Sequence, residues 1–594
     1  MRIVERKDMK SNPEEKIKLE GRIRRIALLN AVRHDGKARV KPVIGRLLAE
    51  EPSLRGKVKE ITPLVTSIVE EVNRLTPTEQ RSILERIWPQ ALERRGKREK
   101  ERVLPPLPNV DKYGRVVTRF APNPDCVLHL GSARAIILSH EYARMYDGLF
   151  ILRFEDTDPR LKRSALQFFD LIREDLRWLG CRWDEEYIQS DRLPIYYKYA
   201  RKLIEDGNAY VCTCKPEDFR ARVAEMEPCP CRNLSPEENL TRWEAMHDGT
   251  YGEGEAVLRI KTDLNHPNPA VRDWPAFRII DTKRYPHPRV GDRYRVWPLY
   301  NFACGVDDHL MGITHIIRGK EHLTNQRRQE YLYRHLGWDY PEAIHYGRLK
   351  IVGAHLSKSK ILQGVRSGIY KGWDDPRLAT FQALRRRGIK PEAIRRLIID
   401  IGPRAADITL SWENLYAINR KLVDPEADRY FFVQNPVKLT VRGIPEESIA
   451  ARVPLHPDHP ERGYRTLKLS VRGGEANVLI SSSDIKLLEA NKIIRLIGLL
   501  NLRVEEVGEG RVAGVFHSWS HEEARRVKAP LIHWIPAGTG IPCRVVMPDG
   551  SLLEGFVEET IFRVKVDTVV QFERFGFVRV DDVDGGVTVY FTHK

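Results

Sequence analysis

The chain has 594 residues, with 99 lysines and arginines against 82 acids and a formal net charge of +17. That length exceeds what one hydrophobic core organises, and so large a positive surplus argues against an enzyme confined to small neutral substrates and for a polyanionic partner. No apolar run is long enough to span a bilayer, and Met1-Arg2-Ile3-Val4-Glu5-Arg6-Lys7 lacks the apolar core of a secretion signal, so a membrane partner is excluded and the cytoplasm is expected.

Residues 1–100 read as an appended helical domain. Leu19, Ile23, Ile26 and Ala27 share one helical face, as do Val65, Ile68, Val69 and Val72. Thr62-Pro63 and Thr76-Pro77 each read as an N-cap followed by a first-turn proline. Arg94 to Pro108 is basic and proline-rich and reads as an exposed linker, either touching RNA or serving as a solvated spacer.

From Val116 strands and helices alternate. A strand at Val116 to Phe120 leads through Ala121-Pro122-Asn123-Pro124 to the turn His129-Leu130-Gly131-Ser132 and a helix reaching about Tyr146. A second strand, Phe150 to Phe154, precedes helices at about Ala165 to Leu179 and Pro194 to Glu205. Such alternation predicts an α/β, doubly wound parallel sheet of Rossmann type with a nucleotide at its strand ends. We place its halves at 101–209 and 300–345, with an insertion at 210–299. Residues 346–428 carry the loop Leu356-Ser357-Lys358-Ser359-Lys360 and a helical region from Pro376 to about Asn419, in which Arg385-Arg386-Arg387 exposes positive charge. Residues 429–594 read as antiparallel β-barrels. There Val587, Val589 and Phe591 interleave with Thr588, Tyr590 and Thr592, and Asp549-Gly550 and Gly585-Gly586 are hairpin turns.

Strand, tight turn and helix N-terminus in that order direct unpaired amides and the positive helix end outward, toward a phosphate. The Lys358 loop suits a polyphosphate as negative charge grows on it. Alone, the first is ordinary capping and the second a solvated surface; together they indicate nucleotide chemistry. Cysteines 126, 181, 304 and 543 stand apart, whereas Cys212-Thr213-Cys214 and Cys229-Pro230-Cys231 supply four thiolates from two knuckles. That pattern predicts a closed, structural zinc site, with redox or coincidental cysteines as the alternative.

These motifs, with Gly372-Trp373-Asp374-Asp375-Pro376-Arg377-Leu378, Ala417-Ile418-Asn419-Arg420-Lys421 and Gln571-Phe572-Glu573-Arg574-Phe575-Gly576, resemble the class I aminoacyl-tRNA synthetases of the glutamyl and glutaminyl branch. The likeness runs from Val116 to Lys594, and the barrel ending is similar to the archaeal and eukaryotic glutamyl type and the glutaminyl enzymes. The family's His-Ile-Gly-His ends here in Ser132, the first lysine of its Lys-Met-Ser-Lys-Ser is His355, and Asn301 replaces a common aspartate. A histidine is mostly neutral at pH 7, so Lys358 should carry most of the loop's charge.

The resemblance implies ATP bound by Ala121, His129, Gly131, Ser132, His355, Ser357 and Lys358, with Mg2+ on the triphosphate and catalysis by His129 and Lys358. It implies glutamate bound by Arg119, Glu155, Tyr300 and Arg318. Arg119 can offer a bidentate fork to a carboxylate, and Glu155 at a strand end can receive an ammonium group. It further implies a zinc-pinned acceptor-binding insertion, a helical stem-contact domain and anticodon-gripping barrels. The glutaminyl branch usually carries Asp-Asp-Thr-Asn where this chain has Glu155-Asp156-Thr157-Asp158, and an uncharged residue at Arg318. The expected activity is therefore glutamate–tRNA ligation in two steps through glutamyl-adenylate, by a monomer, on tRNA(Glu), with tRNA(Gln) a second candidate. The alternatives are a glutaminyl-tRNA synthetase, a catalytically silent tRNA-binding paralogue, and a small-molecule nucleotidyltransferase.

Overall fold

The computed structural model describes residues 13–33, 36–88, 103–161, 163–353, 357–508 and 510–594. It divides into two compact units, residues 1–101 and 102–594.

The first unit is built from α1 (Pro13–Arg33), α2 (Val40–Glu50), α3 (Val58–Arg74) and α4 (Pro77–Ile87). The two apolar faces meet in one core, where Ile23, Ile26 and Ala27 pack with Val65, Ile68, Val69 and Val72. Thr76 caps α4 as expected: its hydroxyl accepts the Glu79 N–H at 3.3 Å and the Glu79 carboxylate accepts the Thr76 N–H at 2.8 Å. Thr62-Pro63 starts no helix. α3 begins earlier, at Val58, directly off the 3-10 turn Pro52–Lys57, so Pro63 falls within it.

In the second unit the proline-rich segment docks sooner than expected. Leu104 and Leu107 are buried in the core, and the Leu107 N–H donates to Tyr146 Oη at 2.9 Å. Residues 94–102 lie outside the described residues. The parallel sheet follows: β1 (Val117–Phe120), α5 (Ala133–Met145), β2 (Leu149–Phe154), α6 (Leu166–Trp178), β3 (Glu185–Ile188) and α7 (Leu193–Glu205), with strand order β1-β2-β3. β1 and β2 are buried almost throughout, as the covered strands of a parallel sheet are, whereas β3 at the edge, Glu185-Glu186-Tyr187-Ile188, is only partly covered.

The insertion is a four-stranded antiparallel sheet, β4 (Ala209–Cys212), β5 (Val257–Ile260), β6 (Pro275–Ile279) and β7 (Val296–Pro298), carrying α8 (Pro216–Ala224) and α9 (Pro236–Asp248). The chain then forms α10 (Tyr300–Leu310), β8 (His315–Gly319), α11 (Leu323–Leu336) and β9 (Glu342–Tyr346). β8 and β9 pair in parallel, and Thr314, just before β8, ties them to β1: its N–H donates to Val117 O at 3.0 Å and its hydroxyl accepts the Val117 N–H at 2.9 Å. The chain thus runs from β1 outward to β3, then returns to the other side of β1. β1 and β8 flank the switch point where such sheets bind ligands.

β10 (Leu349–Ile351), α12 (Lys358–Arg366), α13 (Phe381–Arg386), α14 (Pro391–Ile401), β11 (Ile408–Leu410) and α15 (Trp412–Val423) complete the helical region. Of its arginine triplet only Arg385 is exposed. Arg386 pairs with Asp374 and Asp581, and Arg387 is buried against Tyr416.

Two barrel-like seven-stranded sheets follow, and they are nested. Phe432–Gln434 and Ile541–Val546 belong to one, whereas the other is built from strands between Pro436–Arg442 and Ile535–Pro536, apart from Ser448–Pro454 and Tyr464–Ser470, which pair as a separate two-stranded ladder. They are not purely antiparallel: Pro436–Arg442 runs parallel to Arg511–Ser518, and Ile541–Val546 to Val587–His593, because nesting brings together strands that no hairpin connects. Both glycine turns are in place, linking Ile541–Val546 to Leu552–Val557 and Gly576–Asp582 to Val587–His593. The last strand's alternation fails at Tyr590, which is buried beside Val589; Phe591 is half-exposed, and Thr592, skipped where the register shifts between the pairs Val578 with Phe591 and Phe577 with His593, is buried. Among the described residues no helix is long and apolar enough to cross a membrane.

Gly148 precedes β2, and a Cβ there would meet Val116 O at 2.1 Å. Gly148→Ala should lower stability by about 1–3 kcal/mol, read as a fall in the thermal unfolding midpoint.

Candidate functional site

Arg119 ends β1 and is buried by the sheet. Its Nε and Nη2 donate to Asp308 Oδ1 and Oδ2 at 3.1 and 3.5 Å, so part of the fork expected for a ligand is already clasped. The same carboxylate receives Arg153 Nη1 at 2.7 Å, and Arg153 Nη2 reaches Glu155 Oε1 at 3.0 Å. Burial, the largest influence on Asp308, pushes its carboxyl up, yet Arg119 and Arg153 together hold it at about 2. Glu155 is raised above its ordinary value by burial, against the pull of Arg153 and Arg119. Next to Asp308 on α10, Asp307 accepts Arg192 Nε at 2.8 Å and Tyr196 Oη at 2.6 Å.

Arg318 ends β8 on the other side of the switch point and is equally buried. It donates through Nη1 to Gln329 Oε1 at 3.1 Å, through Nη2 to Tyr340 Oη at 2.9 Å and through Nε to His345 Nε2 at 3.4 Å. All three partners are neutral, since burial and Arg318 together hold His345 down at about 4. Tyr300 opens α10 within 3.4 Å of His322 Nδ1 and in electrostatic reach of Glu155, Arg318 and Arg119. The structure therefore brings together the four residues Arg119, Glu155, Tyr300 and Arg318. Asn301 is buried beside them, its Oδ1 without a hydrogen-bond partner among the described residues.

The nucleotide turn departs from expectation in one respect. The Gly131 N–H does not point outward but donates to His129 Nδ1 at 3.0 Å, which fixes the neutral ring as the Nε2–H form. Burial, with the Lys358 ammonium, depresses His129 to about 4. Leu130 N donates to Ala379 O at 2.8 Å and Phe381 N to Leu128 O at 3.3 Å, which stitches the turn to the segment before α13. Ser357 and Lys358 start α12 rather than lying in a loop, and Lys358 Nζ rests on Asp125 Oδ1 at 3.0 Å and Asn123 O at 3.3 Å. Leu356 and the predicted ligand His355 lie outside the described residues. The Ala121–Pro124 bend joins the two halves: Pro122 O accepts the Glu155 N–H at 2.9 Å, while Asn123 O accepts Lys358. Ala121 and Ser132 are half-buried at the two ends of this stretch.

In the insertion the Sγ atoms of Cys212, Cys214, Cys229 and Cys231 all lie within 4.8 Å of one another. Two of the separations, Cys212 to Cys229 and Cys214 to Cys231, are 3.9 and 3.8 Å. A tetrahedral ion with metal–sulfur bonds of ~2.3 Å requires sulfur–sulfur edges of ~3.8 Å, so the four side chains fit such a centre. Arg242 Nη1 approaches Cys231 Sγ at 3.4 Å and offsets part of the thiolate charge.

Sequence reasoning missed Arg153, Asp307, Asp308, Gln329, Tyr340 and Asp125. A signal existed for the first three: an arginine inside the apolar strand Phe150–Phe154 and two adjacent acids inside the apolar stretch of α10 each demand a buried countercharge.

Residues 115–425 match the family model of class I tRNA synthetases (E and Q), catalytic domain, and residues 427–518 and 531–581 match two anti-codon binding domain models of the same class. The chain is similar to a glutamate–tRNA ligase of Pyrococcus furiosus, 54% identical over 96% of this chain and 98% of that one. It is similar to another of Methanopyrus kandleri, 48% identical over 98% of this chain and 100% of that one. The crystal structure of a glutamate tRNA ligase from Elizabethkingia meningosepticum, in complex with its amino acid, covers 53% of this chain and 70% of that chain with TM-score 0.38 and 24% identity.

His129 should titrate near 4, well below the ordinary histidine range. In Lys358→Ala its pKa should rise, because the ammonium is one cause of the depression, and histidine-selective NMR across a pH series reads both values.

Proposed function

The chain belongs to the class I tRNA synthetases of the E and Q type, and from that membership we propose that it is a glutamate–tRNA ligase acting on tRNA(Glu). The observation that carries the choice of amino acid is the charge left over in the pocket. Four guanidinium groups, Arg119, Arg153, Arg192 and Arg318, face three carboxylates, Glu155, Asp307 and Asp308, and Arg318 is the one without an acidic partner. Glutamate has two carboxylates and one ammonium, so it brings the single negative charge this cluster lacks. Glutamine brings none and would leave Arg318 buried and uncompensated, which costs several kcal/mol.

In this reading Arg318 receives the side-chain carboxylate, Arg119 orients the amino acid through the edge Asp308 leaves open, Glu155 takes the ammonium group, and Tyr300 closes the pocket. A glutamate α-carboxylate oxygen attacks the α-phosphorus of ATP, forming glutamyl-adenylate and releasing pyrophosphate. A ribose hydroxyl of the terminal adenosine of tRNA then attacks the acyl carbon, and AMP leaves. The protein's task is electrostatic: His129 donates its Nε2–H to a phosphate oxygen, and Lys358 exchanges Asp125 for the phosphates as charge develops. Ala121, Gly131, Ser132 and Ser357 line the nucleotide's path, His355 belongs to the same segment as Lys358, and Mg2+ accompanies the triphosphate.

The cysteine cluster fits a structural zinc ion held by all four thiolates, which would leave no coordination position for chemistry and serve to pin α8 and β4 in an acceptor-binding insertion. The 346–428 region would contact the tRNA stem and the barrels of 429–594 the anticodon, in a cytoplasmic monomer. tRNA(Gln) is a second candidate acceptor. Parallel charging of both tRNAs with labelled glutamate tests that choice.

Arg318→Cys should lower kcat/KM for glutamate in tRNA-dependent pyrophosphate exchange by at least ~100-fold while moving the ATP KM by less than about threefold. Comparable glutamate turnover in this variant would refute the assignment of Arg318. Protein purified without added metal should contain about one zinc per chain, and Cys231→Ser should lose it with a lower thermal midpoint.

A further inference from the structure

The ring of neutral groups around Arg318 contains a choice that stability alone does not explain. Gln329 lies on α11, fully buried, and its Oε1 accepts Arg318 Nη1 at 3.1 Å and Tyr340 Oη at 2.9 Å. Tyr340 Oη in turn accepts Arg318 Nη2 at 2.9 Å, so the three side chains close a triangle that fixes the guanidinium plane. The amide satisfies this geometry with its oxygen only. Its Nε2 is buried with no hydrogen-bond partner among the described residues. An unmet buried donor costs free energy. A glutamate of the same shape would remove that donor and give Arg318 an ion pair. Elsewhere in the cluster the fold uses acids for this purpose, with Asp308 clasping Arg119 and Arg153 and Asp307 holding Arg192.

Resting on the reading of Arg318 as the group that receives the substrate's side-chain carboxylate, we propose that Gln329 is a specificity-determining positioning residue: it aims the guanidinium with a neutral oxygen and leaves its charge for an acidic substrate. Gln329 acts only through Arg318. It sets how much of the cation the pocket keeps for its ligand, and an internal carboxylate at this position would compete with the glutamate side chain for the same N–H groups.

The test uses the full chain in tRNA-dependent pyrophosphate exchange with glutamate and glutamine. Gln329→Glu should lower kcat/KM for glutamate by at least ~100-fold, mainly through KM, with the ATP KM within about threefold of the parent and a thermal midpoint equal or higher. Its preference for glutamate over glutamine should collapse. Gln329→Met, which keeps the charge and loses the hold, should raise the glutamate KM by about tenfold and retain the preference. A merely structural role predicts that neither variant changes the glutamate-to-glutamine ratio or the glutamate KM, and that both act only through the thermal midpoint. Glutamate kcat/KM within about threefold of the parent in Gln329→Glu overturns the inference. Should that variant fold poorly, loss of the glutamate preference in Gln329→Met overturns it equally. Arg318→Cys separates the levels: if it leaves glutamate activation intact the site reading itself fails, and if it is impaired while Gln329→Glu is not, only the role of Gln329 fails.

Discussion

A guanidinium buried without a carboxylate is an expensive thing for a protein to keep, and the fold around Arg318 keeps one deliberately oriented between Gln329, Tyr340 and His345. The surrounding charges are otherwise matched. Asp308 neutralises the shared edge of Arg119 and Arg153, and Asp307 does the same for Arg192. The consequence is a pocket whose electrostatic deficit has a sign and a size. Placing Arg318 on β8 and Arg119 on β1, at the point where the chain reverses its direction across the sheet, puts that deficit where ligands of doubly wound folds enter.

The nucleotide half depends on the same strand ends. The Ala121–Pro124 bend has one carbonyl on the Glu155 amide and the next on the Lys358 ammonium, so the backbone that follows Arg119 is shared by the amino-acid and phosphate sides. Lys358 resting on Asp125 keeps a mobile cation from standing unpaired beside His129, whose ring burial already disfavours charge. The Gly131 amide is spent on fixing the His129 tautomer, which trades a general anion hole for one directed donor.

What the sequence made legible were features carried by neighbours along the chain. The His129 turn, the paired cysteine knuckles, the Thr76 cap and the glycine hairpins depend on a few consecutive residues, and each forms at its expected place in the chain, although the Gly131 amide turns inward to His129 rather than outward. Arg153 and Asp308 were not legible as a pair because they are 155 positions apart and meet only through the sheet's topology. The parallel pairings of the barrels were hidden for the same reason: residues 436–536 are nested inside another sheet, and no local signal marks nesting. Arg387 and the Leu104–Leu107 segment misled in the opposite direction. Charge and proline suggested exposure, whereas Tyr416 and the helical core supplied partners that composition does not reveal.

The order in which Asp308 and Glu155 lose charge follows from their partners. Asp308, held at about 2 by two arginines, keeps its charge well below the range in which an ordinary carboxylate takes up a proton, so the clasp on Arg119 and Arg153 outlasts that of a free acid. Glu155 is the soft member, raised by burial and gripped by only one arginine hydrogen bond. Its folded value lies above its unfolded one, so as pH falls it takes up a proton before an ordinary glutamate does. Protonation removes the charge that an amino group would seek, while the guanidinium groups stay in place. The pocket therefore fails first at the ammonium end, and it does so without losing the geometry that selects the acidic side chain.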